Sequence, residues 1–492
     1  LGPTTNQLRI PRLGHGSPRR VLASAVALPL LLASAAAAGL IAVSHPEWYR
    51  GALAIALCVN LVVLGMKWPR AAALATLLLL PFLALVRRLL IADAGFVSND
   101  PLLLVGPVVA LFLLYRLYVV EGRRSDDRLF KLVAALLLVA VVQVLNPLAT
   151  GGLLAAAGGL LFVGVPLLWF FVGRELGDAR SVTWLLYGSI VAACLVAAYG
   201  LLQTQYGTIA SWDQAWIDVN GYGALLVKDS ETGNALRPFS TFSSNQEYAT
   251  FLSIGVTFVV AMALRRRVAA AVALPPLMLA LFLAGGRGSL VLSAVAAVVL
   301  VALLTRSWLN GLLIVLVGVA VAYGAAATFG PRIDRAAGIG GDAVVERNVA
   351  GILKPLDPNK STVVGHYQNI IDGFVEGVTH PAGQGTGATS IATTLTDSNN
   401  KDSENDLANT FISLGLIGGL LYLGIIVLMF RTVFARYVRH RDALSLAVAG
   451  LLVVTFGQWL NGGQYAVAPL LWFLAGWASR PEPEPEPSVA QA

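Results

Sequence analysis

Arg287, Arg237 and Glu404 are the residues whose type and surroundings point to chemistry. Arg287 lies in Ala284-Gly285-Gly286-Arg287-Gly288-Ser289, between apolar runs near 268–284 and 288–305. Glycines there let the backbone approach a ligand closely. Arg237 stands in Leu236-Arg237-Pro238-Phe239-Ser240-Thr241-Phe242-Ser243, just ahead of an apolar run that opens near Glu247. A guanidinium is a planar fork that offers an oxyanion two parallel charge-assisted hydrogen bonds, so a pair of them suits a diphosphate. Each arginine also has a plainer reading, an interfacial anchor whose head reaches the headgroups. Glu404, in Ser403-Glu404-Asn405-Asp406, precedes the run 408–430. A carboxylate at that place either complements a helix dipole, which Asp406 does equally well, or takes a proton as a general base. His366 is first a surface histidine and second a catalyst. With the two arginines, His366, Tyr367 and Asn405 complete the candidate substrate-binding set. No His/Cys/Asp cluster has metal-ligand spacing, so neither a metal nor another cofactor is expected.

The elements that must position these residues are read from hydropathy. The chain has 492 residues, 57% hydrophobic and 12% charged, with a mean hydropathy of +0.74. That composition excludes an ordinary soluble domain. Long apolar runs recur along almost the whole length, which predicts an all-α polytopic membrane protein, because hydrocarbon satisfies no exposed backbone group. Spans are expected near 21–43, 50–66, 70–86, 101–119, 129–149, 152–173, 181–203, 246–264, 268–284, 288–305, 308–328, 408–430, 444–461 and 464–478, about fourteen in total. The net charge of +7 is small for this length and reflects arginines at helix ends, not a nucleic-acid surface. Cys58 and Cys194 both lie inside apolar runs and imply neither a disulfide nor a metal site.

Lys and Arg sort into alternate connections. Arg19, Arg20, Lys67, Arg70, Arg123, Arg124, Arg128, Lys131, Arg174, Arg180, Arg265–Arg267, Arg306, Arg431, Arg436, Arg439, Arg441 and Arg480 fall in one set, which the positive-inside rule makes cytoplasmic; the other set is mostly bare at its short turns, with Arg50, Arg87, Arg88, Arg287 and the charges of two long loops as exceptions. Segment 1–20 and the Pro/Glu-repeating tail 479–492 are then cytoplasmic, and 21–478 is the membrane domain. Leu1–Pro18 is set aside from fold reasoning. Two long loops fall outside, 204–245 and 329–407, and the Arg287 turn lies outside with them, where arginine is uncommon. Within the second loop, Val363, Tyr367, Ile370, Ile371, Phe374 and Val378 recur at helical spacing, which predicts a helix over 362–378 lying on the membrane domain and ending at His380-Pro381. Gly383-Gln384-Gly385-Thr386-Gly387 reads as a flexible turn. It is no phosphate loop, since no strand precedes it and no Lys-Ser/Thr follows.

Three stretches carry a resemblance. Arg237-Pro238-Phe239-Ser240-Thr241-Phe242 resembles an arginine before a Gly/Ser-Thr-Phe turn, with Ser244-Asn245-Gln246-Glu247 in place of the usual Pro-Asn. Gly286-Arg287-Gly288-Ser289 resembles a Ser-Arg-Gly/Thr turn that opens an apolar helix. His380-Pro381, the glycines 383, 385 and 387, Glu404-Asn405, and Gly415-Leu416-Ile417-Gly418-Gly419 resemble a long outer loop with the glycine-rich helix after it. Together, over about 237–430, they resemble the O-antigen ligase and polymerase superfamily of bacterial envelope polysaccharide assembly. The resemblance implies a GT-C-like membrane glycosyltransferase of the inner membrane, acting on its periplasmic face without a cofactor. Its donor and acceptor would be glycans on undecaprenyl diphosphate, its arginines would grip the diphosphate, and membrane lipid and a chain-length regulator protein would be its partners. The family's ligases carry His-Asn where this chain has Glu404-Asn405. An acidic residue before Asn is familiar in its polymerases, so an inverting, metal-independent polymerase is the first expectation. A ligase acting on lipid A core or protein is the second. A secondary transporter, which would show broken helices and midplane charges, is the third.

Overall fold

The computed structural model describes residues 48–480 except 98–99, 207–209, 221–225, 230–232, 266–267, 314–315, 318–319, 321–347, 352, 355, 358–362, 391, 394–395, 397–399 and 461–462. The expected span 21–43, much of 308–328, the front of the second loop and the tail beyond Arg480 lie outside the described residues.

Among the described residues the chain is helical, with one short hairpin. In order come α1 (Tyr49–Lys67), α2 (Pro69–Leu89), α3 (Val105–Leu114), α4 (Arg128–Gln143), α5 (Gly152–Leu176) and α6 (Ala179–Tyr206). The first expected loop is not all loop: it contains α7 (Ser211–Asn220) and the antiparallel strands β1 (Leu226–Asp229) and β2 (Gly233–Leu236), paired Leu226 to Leu236. After it come α8 (Asn245–Leu264), α9 (Leu274–Leu283), α10 (Arg287–Thr305), α11 (Val363–Thr379), α12 (Asp406–His440), α13 (Ala443–Val454) and α14 (Val467–Ala478). Among the described residues, eight helices are long and apolar enough to cross a membrane. Three shorter apolar helices, Ala269–Leu283, Ala443–Val454 and Val467–Ala478, stand where further spans were expected.

Contacts sort the helix ends into two groups that agree with the Lys/Arg count. At the basic end Arg70 donates to Leu176 O at 3.2 Å, Arg123 to Glu175 O at 2.8 Å and Arg480 to Gly177 O at 3.2 Å. Arg265 donates to the Tyr437 hydroxyl at 3.0 Å and Arg441 to Leu303 O at 2.8 Å. At the opposite end Asn146 donates to Gly383 O at 2.9 Å, and the Thr150 amide to Gln384 O at 2.8 Å. Arg70, Arg123, Arg441 and Arg480 thus stabilise the carbonyl terminus of a neighbouring helix.

Helix length shapes the second end. Helices α5 and α6 have 25 and 28 residues, so at 1.5 Å per residue they rise about 38 and 42 Å. Helices α13 and α14 have 12 residues each and rise only about 18 Å, short of a hydrocarbon core of about 30 Å. They form a hairpin that leaves and returns to the basic end, and the described residues of its connection, 455–460 and 463–466, are irregular chain. The expected spans 444–461 and 464–478 are therefore two half-length helices and a broken tip. Irregular backbone at membrane depth requires protein partners. Asp406 supplies them: its carboxylate accepts from the Trp459 and Leu460 amides and from Tyr422 Oη at 2.6 Å, while its own amide donates to Gly457 O at 3.1 Å. Glu247, on the first turn of α8, accepts from the Ala466 amide at 2.7 Å.

The expected straight span 408–430 is also broken. Gly415, with φ 69° and ψ −170°, folds the start of α12 back on the rest. Gly418 and Gly419 then lie against Leu414 and Phe411, where any Cβ would fall 2.2 and 2.4 Å from a neighbour. The glycine run 383–387 is buried beside this fold, not a flexible turn. Gly383 faces the Gly415 amide, Gly387 faces the backbone of Ala155, and Thr386 Oγ1 donates to Ala156 O. A Cβ at Gly415 would meet Pro381 O at 2.3 Å, in a backbone region essentially reserved for glycine. Gly415→Ala is expected to cost about 1–3 kcal/mol from the backbone alone, read as a lowered Tm in detergent. Gly424→Ala, whose Cβ meets only Leu132 at 3.9 Å, is the matched control and leaves Tm unchanged.

Candidate functional site

Two of the residues singled out above, Glu404 and His366, pair at the second end, and the charge of a third, Arg287, acts on the histidine. Glu404 has φ 63°, a left-handed conformation that costs a non-glycine residue about 1–3 kcal/mol and that collects at functional sites. A local network holds it. Asp402 accepts from the Glu404 amide at 2.8 Å and from Asn409 Nδ2 at 2.6 Å, and Asn409 Oδ1 accepts from the Ser403 amide at 2.8 Å. Gln458 Nε2, from the broken tip, donates to Glu404 O at 3.2 Å. Neither Glu404 nor Asp406 caps the helix. Asn405 does, its Oδ1 accepting from the Leu407 and Ala408 amides at 3.0 and 3.4 Å. The Glu404 carboxylate is thereby left to project from the turn, and it pairs with His366 Nδ1.

His366 is delivered by α11, which forms where helical spacing predicts it. The packed face of that helix carries Gly373 against Ser403 and Ala408, and Gly377 against Phe411. Phe374 meets the Phe411 ring edge-on at 5.7 Å between centroids. The two glycines let α11 lie close enough for His366 to reach Glu404. Both partners remain half exposed, with 52% and 42% of their side chains open. The hydrogen bond His366 Nδ1 donates to Glu404 raises the imidazole above its ordinary range, against some desolvation, while the Arg287 charge pulls it down. The same bond holds the Glu404 carboxyl below its ordinary range.

Arg287 is the first residue of α10, with Gly286 as the N-cap. A cation at a helix N-terminus opposes the dipole, so the fold bears a cost to put it there. Gly286 packs on Ala249 of α8, where a Cβ would come within 2.5 Å. The guanidinium lies against Gly351, at which any side chain would collide with it, and its charge acts on His366.

Arg237 is held by a different part of the fold. It follows β2 directly, half-buried, between Leu236 and Phe239, which are buried against Ile91, Trp216 and Ile217. The turn after it is clamped: Gln203 Oε1 accepts from the Phe239 and Ser240 amides at 3.1 and 2.6 Å. Arg88 stacks on the Phe239 ring at 4.6 Å, pairs with Asp213 at 3.0 Å and donates to Ser240 O. From this clamp the chain runs into α8, whose Ser244 N-cap accepts from the Glu247 amide at 3.2 Å. One turn of α8 then touches the other segments, through Ala249 to Gly286 and through Gln246 to Gln458 at 3.4 Å. Tyr367 does not join the cluster. One residue on from His366, it is rotated about 100° around α11 and is 64% exposed.

Sequence reasoning missed the residues that hold these side chains in place: Arg88, Gln203, Asp213, Glu247, Asp402, Asp406, Asn409 and Gln458. One signal was present, since Asp406 and Glu247 each open an apolar run. The arrangement defines a class: a helical protein with helices long and apolar enough to cross a membrane, carrying an imidazole–carboxylate pair, with a guanidinium charge acting on it, at the end opposite Arg70, Arg123 and Arg480. Comparison with protein-family models, with curated proteins and with solved structures finds no match to the chain.

Proposed function

We propose that the chain is a membrane glycosyltransferase of about fourteen spans. It moves a glycan from undecaprenyl diphosphate to the non-reducing-end sugar of a second lipid-linked unit, on the outer face of the inner membrane. The observation that supports this reading is the pairing of His366 with Glu404 beside a strained backbone turn, with the Arg287 charge acting on the histidine. The reaction breaks the bond from the anomeric carbon to the leaving phosphate oxygen and forms one to the acceptor oxygen. The acceptor proton passes to a base, and the charge that grows on the diphosphate is met by cations already in place. Arg287 and Arg237 fill that role. Attack opposite the leaving group inverts the anomeric configuration.

The proton role belongs to the pair, not to Glu404 alone. A base works best with a pKa near the operating pH. The hydrogen bond between the two moves Glu404 away from that range and lifts His366. His366 Nε2 therefore takes the proton, while Glu404 holds Nδ1 and stabilises the imidazolium that forms, as a carboxylate does for a catalytic histidine. Transfer is then slow at low pH, where His366 is protonated, and rises with pH through its raised pKa. Glu404→Gln removes the charge that raises the imidazole, so the acid limb of the pH–rate profile shifts to lower pH and the plateau falls. An acid limb in the wild type below the ordinary carboxylate range would instead make Glu404 the base.

The direct experiment incubates purified protein in liposomes with an undecaprenyl-diphosphate-linked repeat unit. Lengthened lipid-linked glycan and released undecaprenyl diphosphate are expected, and their absence overturns the reading. One observation favours a ligase as the second reading: His366 places an imidazole against Glu404, where the family's ligases carry His-Asn. A ligase would leave the single unit unextended and move finished glycan to lipid A core or a protein. Transport draws on the broken helices. Yet the Asp406 carboxylate at the break is occupied by a tyrosine hydroxyl and backbone amides, which suits a structural latch better than an ion site.

A further inference from the structure

Helix α11 has three faces where an ordinary surface helix has two. Its packed face, with His366, Ile370, Gly373, Phe374 and Gly377, lies on the start of α12. Its polar face carries Gln368 and Asp372, hydrogen-bonded to each other at 2.8 Å, and Glu376, which pairs with Lys401 at 2.6 Å. Between them lies a third arc of Val364, Tyr367, Ile371, Val375 and Val378. At 100° per residue these five fall within about 80° of one another. All five are exposed, Val375 by 57% and Val378 by 60%. Scattered apolar residues on a surface need no explanation, but a contiguous stripe rimmed by charge does.

The stripe leads onto a surface of known kind. Val378 stands close before Pro381, whose carbonyl accepts from the Leu416 amide at 3.0 Å. From Leu416 the exposed apolar residues continue down α12 as Ile417, Leu420, Leu423 and Val427, on a helix long and apolar enough to cross a membrane. The arc of α11 is thus the upper edge of a surface that faces lipid. An apolar arc beside a charged face, with a tyrosine among its residues, is the pattern of a helix lying in the membrane interface.

We infer that α11 is an interfacial helix, with its Val364–Val378 arc sunk into the outer leaflet and its Gln368–Glu376 face in water. The occupant of the arc is the lipid bilayer. His366, at the border of the packed face, then lies at headgroup depth, where the phosphate of any lipid-linked substrate is also found.

Spin labels read this directly. With Cys58 and Cys194 changed to serine, single variants Val364→Cys, Gln368→Cys, Ile371→Cys, Asp372→Cys and Val375→Cys are labelled in phosphatidylglycerol–phosphatidylethanolamine liposomes. Oxygen, which concentrates in lipid, is expected to relax the labels at 364, 371 and 375 several-fold more than at 368 and 372. A water-soluble nickel chelate gives the reverse order. Equal nickel access around the helix overturns the inference. Protection of the 364–375 labels from both reagents also overturns it, because protein would then cover the arc. The measurement needs no turnover, so it stands or fails apart from the glycosyl-transfer reading.

Discussion

Arg287→Ala is expected to lower glycan transfer by about 10²–10³-fold, the size of effect that follows loss of one preorganised donor to a developing oxyanion. Most of the loss should fall on kcat, because the charge it meets grows only as the anomeric bond breaks. Stability should move little. The side chain sits at the N-terminus of α10, where a cation opposes the helix dipole, so its removal changes stability by no more than about 1 kcal/mol. Arg287→Lys keeps the charge and loses the planar fork, and its activity should fall between the alanine variant and the wild type. Single-turnover transfer in liposomes, beside thermal unfolding of the same preparations, separates the two effects. Full polymer length and yield with Arg287→Lys would remove the bidentate grip from the mechanism, and a collapse of Tm with Arg287→Ala would make the arginine structural.

Asp406→Ala carries the largest expected loss of stability. The carboxylate is buried and accepts from the Tyr422 hydroxyl and the Trp459 and Leu460 amides. Without it those donors are stranded in a place water does not reach. Each buried donor so stranded costs about 1–3 kcal/mol, and three together are a large part of the stability of any domain. The damage should also travel. The 455–466 tip carries Gln458, which bonds the Glu404 carbonyl, so a loosened tip frees the turn that presents Glu404. Asp406→Asn retains an acceptor oxygen and should recover part of both properties. The readouts are Tm in detergent and transfer at a temperature where the variant is still folded. A Tm within a degree of wild type for Asp406→Ala would show that the tip is held by other means.

The helical membrane domain was legible in the sequence because apolar length is a local property. A run such as 288–305 reports its own transfer free energy whatever surrounds it, and the Lys/Arg alternation reports helix ends in the same local way. The helix over 362–378 was legible by its spacing, and so was its stop at His380-Pro381. Half-length helices were not, because α13 and α14 are as apolar as full spans. Partners from other segments, Asp406 and Glu247 among them, make a broken tip tolerable between them. The hairpin of 226–236 and helix α7 were missed because polar, glycine-rich chain looks like loop.

Of the candidate site, residue types were readable and their relations were not. An arginine in a glycine turn and a carboxylate before an apolar run announce themselves one at a time, since charge placed at a membrane boundary costs free energy wherever it occurs. What joins them depends on contacts between segments far apart in the chain. His366 meets Glu404 because Gly373 and Gly377 let α11 settle on α12, and because Gly415 has already folded the start of α12 back. Which of Glu404, Asn405 and Asp406 is free to work is likewise a matter of partners. Asn405 turns to the helix amides and Asp406 to the tip, and only Glu404, held in a left-handed turn, points to a histidine. Hydropathy and spacing settle which segments are helices. Close packing decides which side chains those helices bring together, because a contact depends on the shape of both faces and a sequence pattern describes only one at a time.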